Sequence, residues 1–248
     1  MNESKLVNGM ERSGEVILDE ASDDFDREYS NLIDKSDAVY IATHSDYRPP
    51  QIEKALQSGV HVLYELPIAK NENECLRLQG IALSNSRVLM DAIKTAYAAA
   101  YAGLLLLAKS GRIGWVVSVD AVCSSLTKPE YVGKQGVMDR WGPTAFLPIV
   151  QLPGSDWVKS SYAALLSRDD SSHDTFVKAD FAYQEAVASF KLASAVKAEG
   201  ELVIAGTEGY IYVPSHWWKT DCFGIRREDP NENKLYFYQL DGEGVRYN

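Results

Sequence analysis

Residues 36–70 constrain the fold more than any other part of the chain. They contain two short apolar runs, 37–43 and 61–65, that are rich in β-branched and aromatic residues. Runs of this kind are typical of strands buried on both faces of a parallel sheet. Between them, Pro49 marks the first turn of a helix and Gly59 marks its end. The pattern therefore predicts a right-handed strand–helix–strand unit.

The carboxyl ends of these two strands are expected to form the rim of a ligand cleft, because ligands bind at that edge of open α/β sheets. The rim would carry Thr43 and His44 after the first strand, and Glu65, Leu66 and Pro67 after the second. His44 either contacts a bound nucleotide or only turns the chain, and the residues alone leave both interpretations open.

The pattern continues with a helix over 71–86 and a third parallel strand over 87–93, with Lys94 at its carboxyl end. A further helix over 96–110 leads to an alternating strand over 113–125. Beyond a helix that opens at Trp141, the remaining chain is strand-like and includes a clear hairpin around Gly209.

These elements predict an α/β protein of two parts. Residues 1–96 would form an incomplete Rossmann-like domain with a parallel sheet. Residues 97–248 would form an α+β domain with a mostly antiparallel sheet. A Rossmann domain normally begins with a strand and a Gly-x-Gly-x-x-Gly turn, but the only glycines in residues 1–35 are Gly9 and Gly14. We therefore expect about two strand–helix units to be missing. Either the protein is naturally short and a partner covers the uncovered strand edge, or the chain is a fragment.

The rim residues also carry a resemblance. The segment 43–48, the Ala55–Leu56 helix and the segment 59–67 resemble the Gfo/Idh/MocA family (glucose–fructose oxidoreductase and inositol dehydrogenase). Its members read Thr-Pro-Asn-x-x-His, then Gly-Lys-His-Val-x-x-Glu-Lys-Pro. Here His44, Arg48 and Leu66 replace the family's proline, histidine and lysine. The resemblance implies an NAD or NADP cofactor bound by Thr43, His44, Arg48, Glu65, Leu66 and Pro67. It also implies a sugar, sugar-nucleotide or cyclitol substrate, and a homo-oligomer formed through the C-terminal sheet.

The family's second motif, Asp-x-Gly-x-His, is only partly matched. Aligned on Gly142, its aspartate and histidine positions are Arg140 and Thr144. The resemblance therefore makes Arg140, Trp141 and Thr144 the substrate-contacting candidates.

Lys94 and Tyr97 are the ionisable groups left at the predicted rim, and they are the candidates for acid–base catalysis. The alternative is that Lys94 is a solvated charge at a helix entry and that Tyr97 packs between the domains.

The sequence leaves two candidate functions for the protein. One is an NAD(P)-dependent oxidoreductase, and the other is a catalytically inactive family remnant that binds a ligand or a partner. Cofactor binding separates them, because a remnant without the pyrophosphate turn would bind NAD(P) weakly or not at all.

The amino-acid composition limits the classes of molecule that the protein is expected to bind. The net charge of −10 and the pI near 4.9 argue against binding to nucleic acid or to anionic membranes. Three cysteines, far apart, are typical of reduced cytoplasmic thiols, and no His, Cys and carboxylate spacing predicts a metal site. The apolar stretch 96–108 is too short to span a membrane, and Met1 begins no signal peptide. We expect a cytoplasmic protein.

Overall fold

The computed structural model describes residues 18, 23–126, 136–167, 173–229, 234–241 and 244–247. The chain divides into two compact units, Met1–Ala92 and Ile93–Asn248, and each is described by itself. The sequence places the boundary after residue 96, inside a 3₁₀ turn, Lys94–Tyr97, that belongs to the second unit.

The described residues of the first unit contain a three-stranded parallel sheet, which confirms the predicted Rossmann-like parallel sheet. Its strands are β1 (Ala38–Ile41), β2 (His61–Tyr64) and β3 (Leu89–Asp91), in the spatial order β1–β2–β3. Its helices are α1 (Phe25–Ile33), α2 (Arg48–Gln57) and α3 (Glu72–Ser84). Among the described residues β1 pairs with β2 alone, so β1 forms one edge of this sheet.

Strand residues in this unit alternate between buried and accessible positions. Val39 and Val62 are buried with Ile52 and Leu56 of α2, whereas Leu63 on β2 is 37% exposed. The expectation that these strands are buried on both faces is therefore wrong for the described residues. The buried side chains belong to one face of the sheet because successive residues of a strand point to opposite sides.

The second unit contains α4 (Ala99–Lys109), β4 (Val116–Ser125), α5 (Val137–Gln151) and eight further strands. These strands are β5 (Lys159–Leu166), β6 (Asp174–Ala182), β7 (Val187–Ser194), β8 (Leu202–Gly206), β9 (Gly209–Val213), β10 (Cys222–Asp229), β11 (Lys234–Asp241) and β12 (Gly244–Tyr247). They form one sheet in the order β12–β11–β10–β9–β8–β4–β7–β6–β5. Only the β4–β7 pair of this sheet is parallel, which confirms a mostly antiparallel sheet.

One face of this sheet packs against α4 and α5. Val119 and Cys123 of β4 and Phe190 of β7 are buried with Leu104 of α4 and Ile149 of α5. The residues between them on each strand point away from this core, because side chains alternate along a strand.

Helix α5 begins at Val137, so the prediction that it opens at Trp141 is wrong. The carboxylate of Asp174, at the start of β6, accepts a hydrogen bond from the amide of Met138 at 3.2 Å. This long-range cap satisfies a donor of the first helical turn. A Cβ atom on Gly136 would lie 1.8 Å from Asp174 Oδ1, so only glycine leaves room for the cap.

None of the helices in the described residues is long and apolar enough to cross a membrane.

Candidate functional site

The structure brings the six predicted cofactor residues to the carboxyl ends of β1 and β2. Thr43 and His44 follow β1, and Arg48 is the first residue of α2. Glu65, Leu66 and Pro67 follow β2, and the Leu66–Pro67 peptide bond is cis. We call the segments 42–48 and 65–70 the rim loops.

The guanidinium of Arg48 joins the two rim loops by hydrogen bonds. Its side chain is buried, with a relative exposure of 4%. Its Nε and Nη2 donate to the carbonyl of Thr43 at 3.1 and 2.5 Å, and its Nη1 donates to the carbonyl of Pro67 at 2.7 Å. Charge-assisted hydrogen bonds of this kind are stronger than neutral ones. Arg48 therefore fixes the spacing between the loops, a role that the sequence did not predict.

Gln51, one turn further along α2, holds the first rim loop by a hydrogen bond to Thr43. The Thr43 hydroxyl donates to its side-chain oxygen at 2.6 Å, and the Tyr29 hydroxyl of α1 donates to its backbone carbonyl at 2.8 Å. Gln51 is buried, and burial raises the pKa of Tyr29 well above its ordinary value. The hydroxyl of Thr43 thus serves the protein scaffold in this structure.

Tyr40 of β1 binds Glu65 of the second rim loop. Its hydroxyl donates to the Glu65 carboxylate, and the pKa of Tyr40 is raised first by burial and then by this bond. Tyr40 is not among the site residues that the sequence predicts. The strand register contains a signal for it, because Tyr40 lies opposite Leu63, and Leu63 and Glu65 lie on the same side of the chain.

The accessible edge of the rim loops is polar. Lys70 Nζ lies 2.5 Å from Asp46 Oδ1, and Asp46 Oδ2 lies 3.6 Å from His44 Nδ1. The hydrogen bond from Lys70 holds the pKa of Asp46 below its usual value. These three side chains are between 41% and 68% exposed, so polar groups of a ligand can reach them.

The catalytic and substrate candidates lie in the second unit, where one residue links them. Lys94 and Tyr97 are exposed on the 3₁₀ turn, and between them the buried hydroxyl of Thr95 donates to the Trp218 carbonyl at 2.8 Å. The Trp218 ring lies 4.8 Å from the ring of Trp141 on α5. The turn and the first half of α5 therefore meet at Trp218. Thr144 follows one helical turn after Trp141.

Trp217 and Trp218 follow β9 and form a packed aromatic pair. Trp217 and Trp218 are buried, with exposures of 0% and 9%, and the Trp217 indole nitrogen donates to the Val122 carbonyl at 3.0 Å. His216 remains exposed, with its ring 5.2 Å from that of Trp218. The two tryptophans are therefore mainly packing residues.

Arg140 and Trp141 carry donors that the described residues leave unsatisfied. The guanidinium carbon of Arg140 lies 5.2 Å from the centre of the Trp141 ring, within the range of a cation–π contact. Arg140 Nη1 and Trp141 Nε1 are both buried, and neither has a hydrogen-bond partner among the described residues. Burial lowers the pKa of Arg140. Within the same part of the chain, no group of three His, Cys, Asp or Glu side chains could hold a metal ion.

Residues 6–92 match the model of a family described as an oxidoreductase family with an NAD-binding Rossmann fold, GFO_IDH_MocA. Over these residues the chain is similar to the Gfo/Idh/MocA family. This confirms the resemblance seen in the rim loops, and the family's description confirms the expected class of cofactor.

A sequence relative and two solved structures accompany the family match. A dTDP-3,4-didehydro-2,6-dideoxy-α-D-glucose 3-reductase from Streptomyces violaceoruber is 32% identical over 103 residues, which is 41% of this chain and 29% of the reductase. KijD10, a 3-ketoreductase from Actinomadura kijaniata in complex with TDP-benzene and NADP, has a TM-score of 0.72 at 20% identity, over 86% of this chain and 67% of that one. A UDP-N-acetylglucosamine 3-dehydrogenase, GnnA, from Acidithiobacillus ferrooxidans has a TM-score of 0.71 at 18% identity, over 89% and 67%.

The two structural matches show that the chain shares the fold of these proteins. The sequence match spans less than a third of the Streptomyces reductase. All three proteins are described as reductases or dehydrogenases.

Proposed function

We propose that the chain is an NAD(P)-dependent oxidoreductase of the Gfo/Idh/MocA type that acts on a sugar nucleotide or a related sugar. The observation that carries the proposal is the pair of rim loops, which lie within the family match and are joined by the buried Arg48. The names of the sequence relative and of the two structural neighbours support the sugar-nucleotide class of substrate.

The rim loops would bind one part of a dinucleotide. They lie at the carboxyl ends of parallel strands, where α/β sheets bind such ligands, and they offer the accessible polar side chains of His44, Asp46 and Lys70. Bound NAD(P) would supply the hydride-transfer chemistry. The residues of this chain would orient the cofactor and the substrate, and Lys94 or Tyr97 would move the proton at the reacting oxygen.

The first experiment is a titration of the protein with NADH and NADPH, followed by the fluorescence of the reduced cofactor. Saturable binding in the micromolar range is expected, with weaker binding by His44→Ala. The control is Gln57→Ala, an exposed position at the far end of α2, which should bind like the wild type. No binding at millimolar cofactor would contradict the proposal.

A second experiment tests the proton transfer. Lys94→Ala and Tyr97→Phe are compared with wild type in single-turnover reduction of a dTDP-keto sugar. A rate reduced by about a hundredfold or more in either variant is the result expected for an acid–base group. Unchanged rates in both would remove these two residues from the mechanism and leave cofactor binding intact.

We also propose a homo-oligomer that pairs through the large sheet. Residues on the side of the sheet away from the helices include Asp120, which accepts both the Ser118 and the Ser189 hydroxyls at 2.5 Å, and Val187, which is 54% exposed. Light scattering is expected to show a dimer that Val187→Glu weakens. Leu106→Glu, at an exposed position on α4, is the matched control. A monomeric wild type would refute this proposal.

A cytoplasmic location is our further proposal, supported by the wide separation of the three cysteines along the chain, of which Cys123 is buried. Cell fractionation tests it, and recovery of the protein outside the cytoplasm would contradict it.

A further inference from the structure

Three side chains of the second unit form a compact group to which no part of the substrate has yet been assigned. Arg140 lies against the ring of Trp141, and Trp141 lies against the ring of Trp218. We call these three residues the Arg140 cluster. The hydrogen bond from Thr95 to the Trp218 carbonyl attaches the 3₁₀ turn with Lys94 to the same cluster.

The cluster holds two donors in need of an acceptor. Arg140 Nη1 and Trp141 Nε1 are shielded from water and make no hydrogen bond to any described residue. A buried donor without a partner costs free energy, and the cost is larger for a charged group. An acceptor supplied by a ligand would remove this cost. The side chains of both residues are only partly buried, so part of each remains accessible to such a ligand.

The positive charge of Arg140 favours an anionic acceptor. Lys94 and Lys219 are the chain neighbours of Thr95 and Trp218, and both are exposed. Within the part of the chain that the structure describes, neither lysine nor Arg140 forms an ion pair with a carboxylate.

We infer that Arg140 and Trp141 bind the diphosphate group of a nucleoside diphosphate sugar. A guanidinium presents parallel N–H donors that match two phosphate oxygens, and the indole N–H adds a third donor beside it. A free sugar or a cyclitol carries no anion for this group. The inference rests on the proposed function, since it assigns a class of substrate to that oxidoreductase.

The test uses dTDP and UDP as probes, with thymidine and inorganic pyrophosphate as comparisons, and follows the tryptophan fluorescence and the heat of binding. The nucleoside diphosphates are expected to bind and thymidine is not. NADPH also contains a diphosphate, so each titration is repeated with saturating NADPH. Binding of dTDP that is unaffected by NADPH supports a substrate site. Simple competition between the two would overturn it, since the anion site would then belong to the cofactor.

Two variants remove the donors and keep the packing. Arg140→Met retains the aliphatic part of the side chain, and Trp141→Phe retains a ring against Trp218. Each is expected to weaken dTDP binding by about tenfold or more, because each loses hydrogen bonds to a charged group. Arg112→Met, at an exposed arginine of the same unit, makes the same change of charge and should bind dTDP like the wild type.

Three results would overturn the inference. These are no binding of dTDP or UDP to the wild type, unchanged binding by both variants, or an equal loss in the Arg112 control. An NADPH titration of the same samples separates this failure from failure of the proposed function. If NADPH binds and dTDP does not, only the diphosphate site is wrong. If neither binds, the oxidoreductase proposal fails as well.

Discussion

Replacement of Arg48 by methionine tests whether the rim loops are held together from inside the first unit. The change keeps the aliphatic volume and removes the three N–H groups that bond the Thr43 and Pro67 carbonyls. A hydrogen bond to a charged group contributes about 1.5–3 kcal/mol, so two carbonyls losing their donors cost about 3–6 kcal/mol. Methionine carries no charge, so the variant avoids the free-energy cost of burying the guanidinium, and this offsets part of the loss. We expect a net destabilisation of about 2–4 kcal/mol, confined to the first unit.

The assay must report on the first unit alone. All five tryptophans, at positions 115, 141, 157, 217 and 218, lie in the second unit, so tryptophan fluorescence reports on that unit only. Hydrogen exchange of peptides covering residues 38–67 is the direct measurement for the first. In Arg48→Met the amides of these peptides should exchange faster, because the free energy needed to open the unit is lower. A loss of about 2 kcal/mol corresponds to exchange that is about thirtyfold faster.

The matched control is Arg77→Met on α3. Arg77 makes a surface ion pair with Glu53 at 2.8 Å, and exposed pairs of this kind contribute little. Its exchange should be close to that of the wild type. Unchanged protection of residues 38–67 in Arg48→Met, or an equal loss in the control, would refute the idea that Arg48 holds the loops.

Three further predictions concern the scaffold. Gly136→Ala should destabilise the second unit by about 1–3 kcal/mol in urea unfolding, because the new methyl group would lie 1.8 Å from a carboxylate oxygen. Gly80→Ala should instead stabilise α3 by about 0.5–1 kcal/mol, because no atom lies within 4 Å of the new methyl group. Asn71→Ala should cost about 1 kcal/mol by removing the side-chain cap of α3, and a midpoint equal to that of the wild type would contradict this. Burial raises the pKa of Cys123, so iodoacetamide should label the partly exposed Cys75 first in the native protein, and equal labelling would show that the Cys123 site opens.

Local patterns were sufficient to predict the parallel sheet of the first unit. Its strands are short apolar runs, and the positions of Pro49 and Gly59 bracket α2 as expected from their backbone preferences. The capping role of Asn71 is equally local, and its side chain accepts a hydrogen bond from the Glu74 amide at 3.0 Å. Features of this kind depend on residues at most a few positions apart, and they can be inferred without a structure.

Features that depend on distant residues were missed. The start of α5 depends on Asp174, which belongs to a strand on the far side of a long connection. The role of Arg48 depends on the Pro67 carbonyl, and no pattern in the sequence shows where that carbonyl points. The link between the 3₁₀ turn and α5 passes through Trp218, more than a hundred residues after Thr95. In each case the partner becomes visible only when the chain is folded.

The position of β4 in the sheet determines when this strand can pair with its neighbours while the chain is being synthesised. β4 has β7 on one side and β8 on the other, and both neighbours are made long after β4 has left the ribosome. At ordinary rates of translation this interval lasts several seconds. The three strands of the first unit, by contrast, pair in the order in which they emerge. A growing chain can therefore complete the rim loops while the central strand of the large sheet still has no neighbour, and during that interval β4 is a natural target for a chaperone.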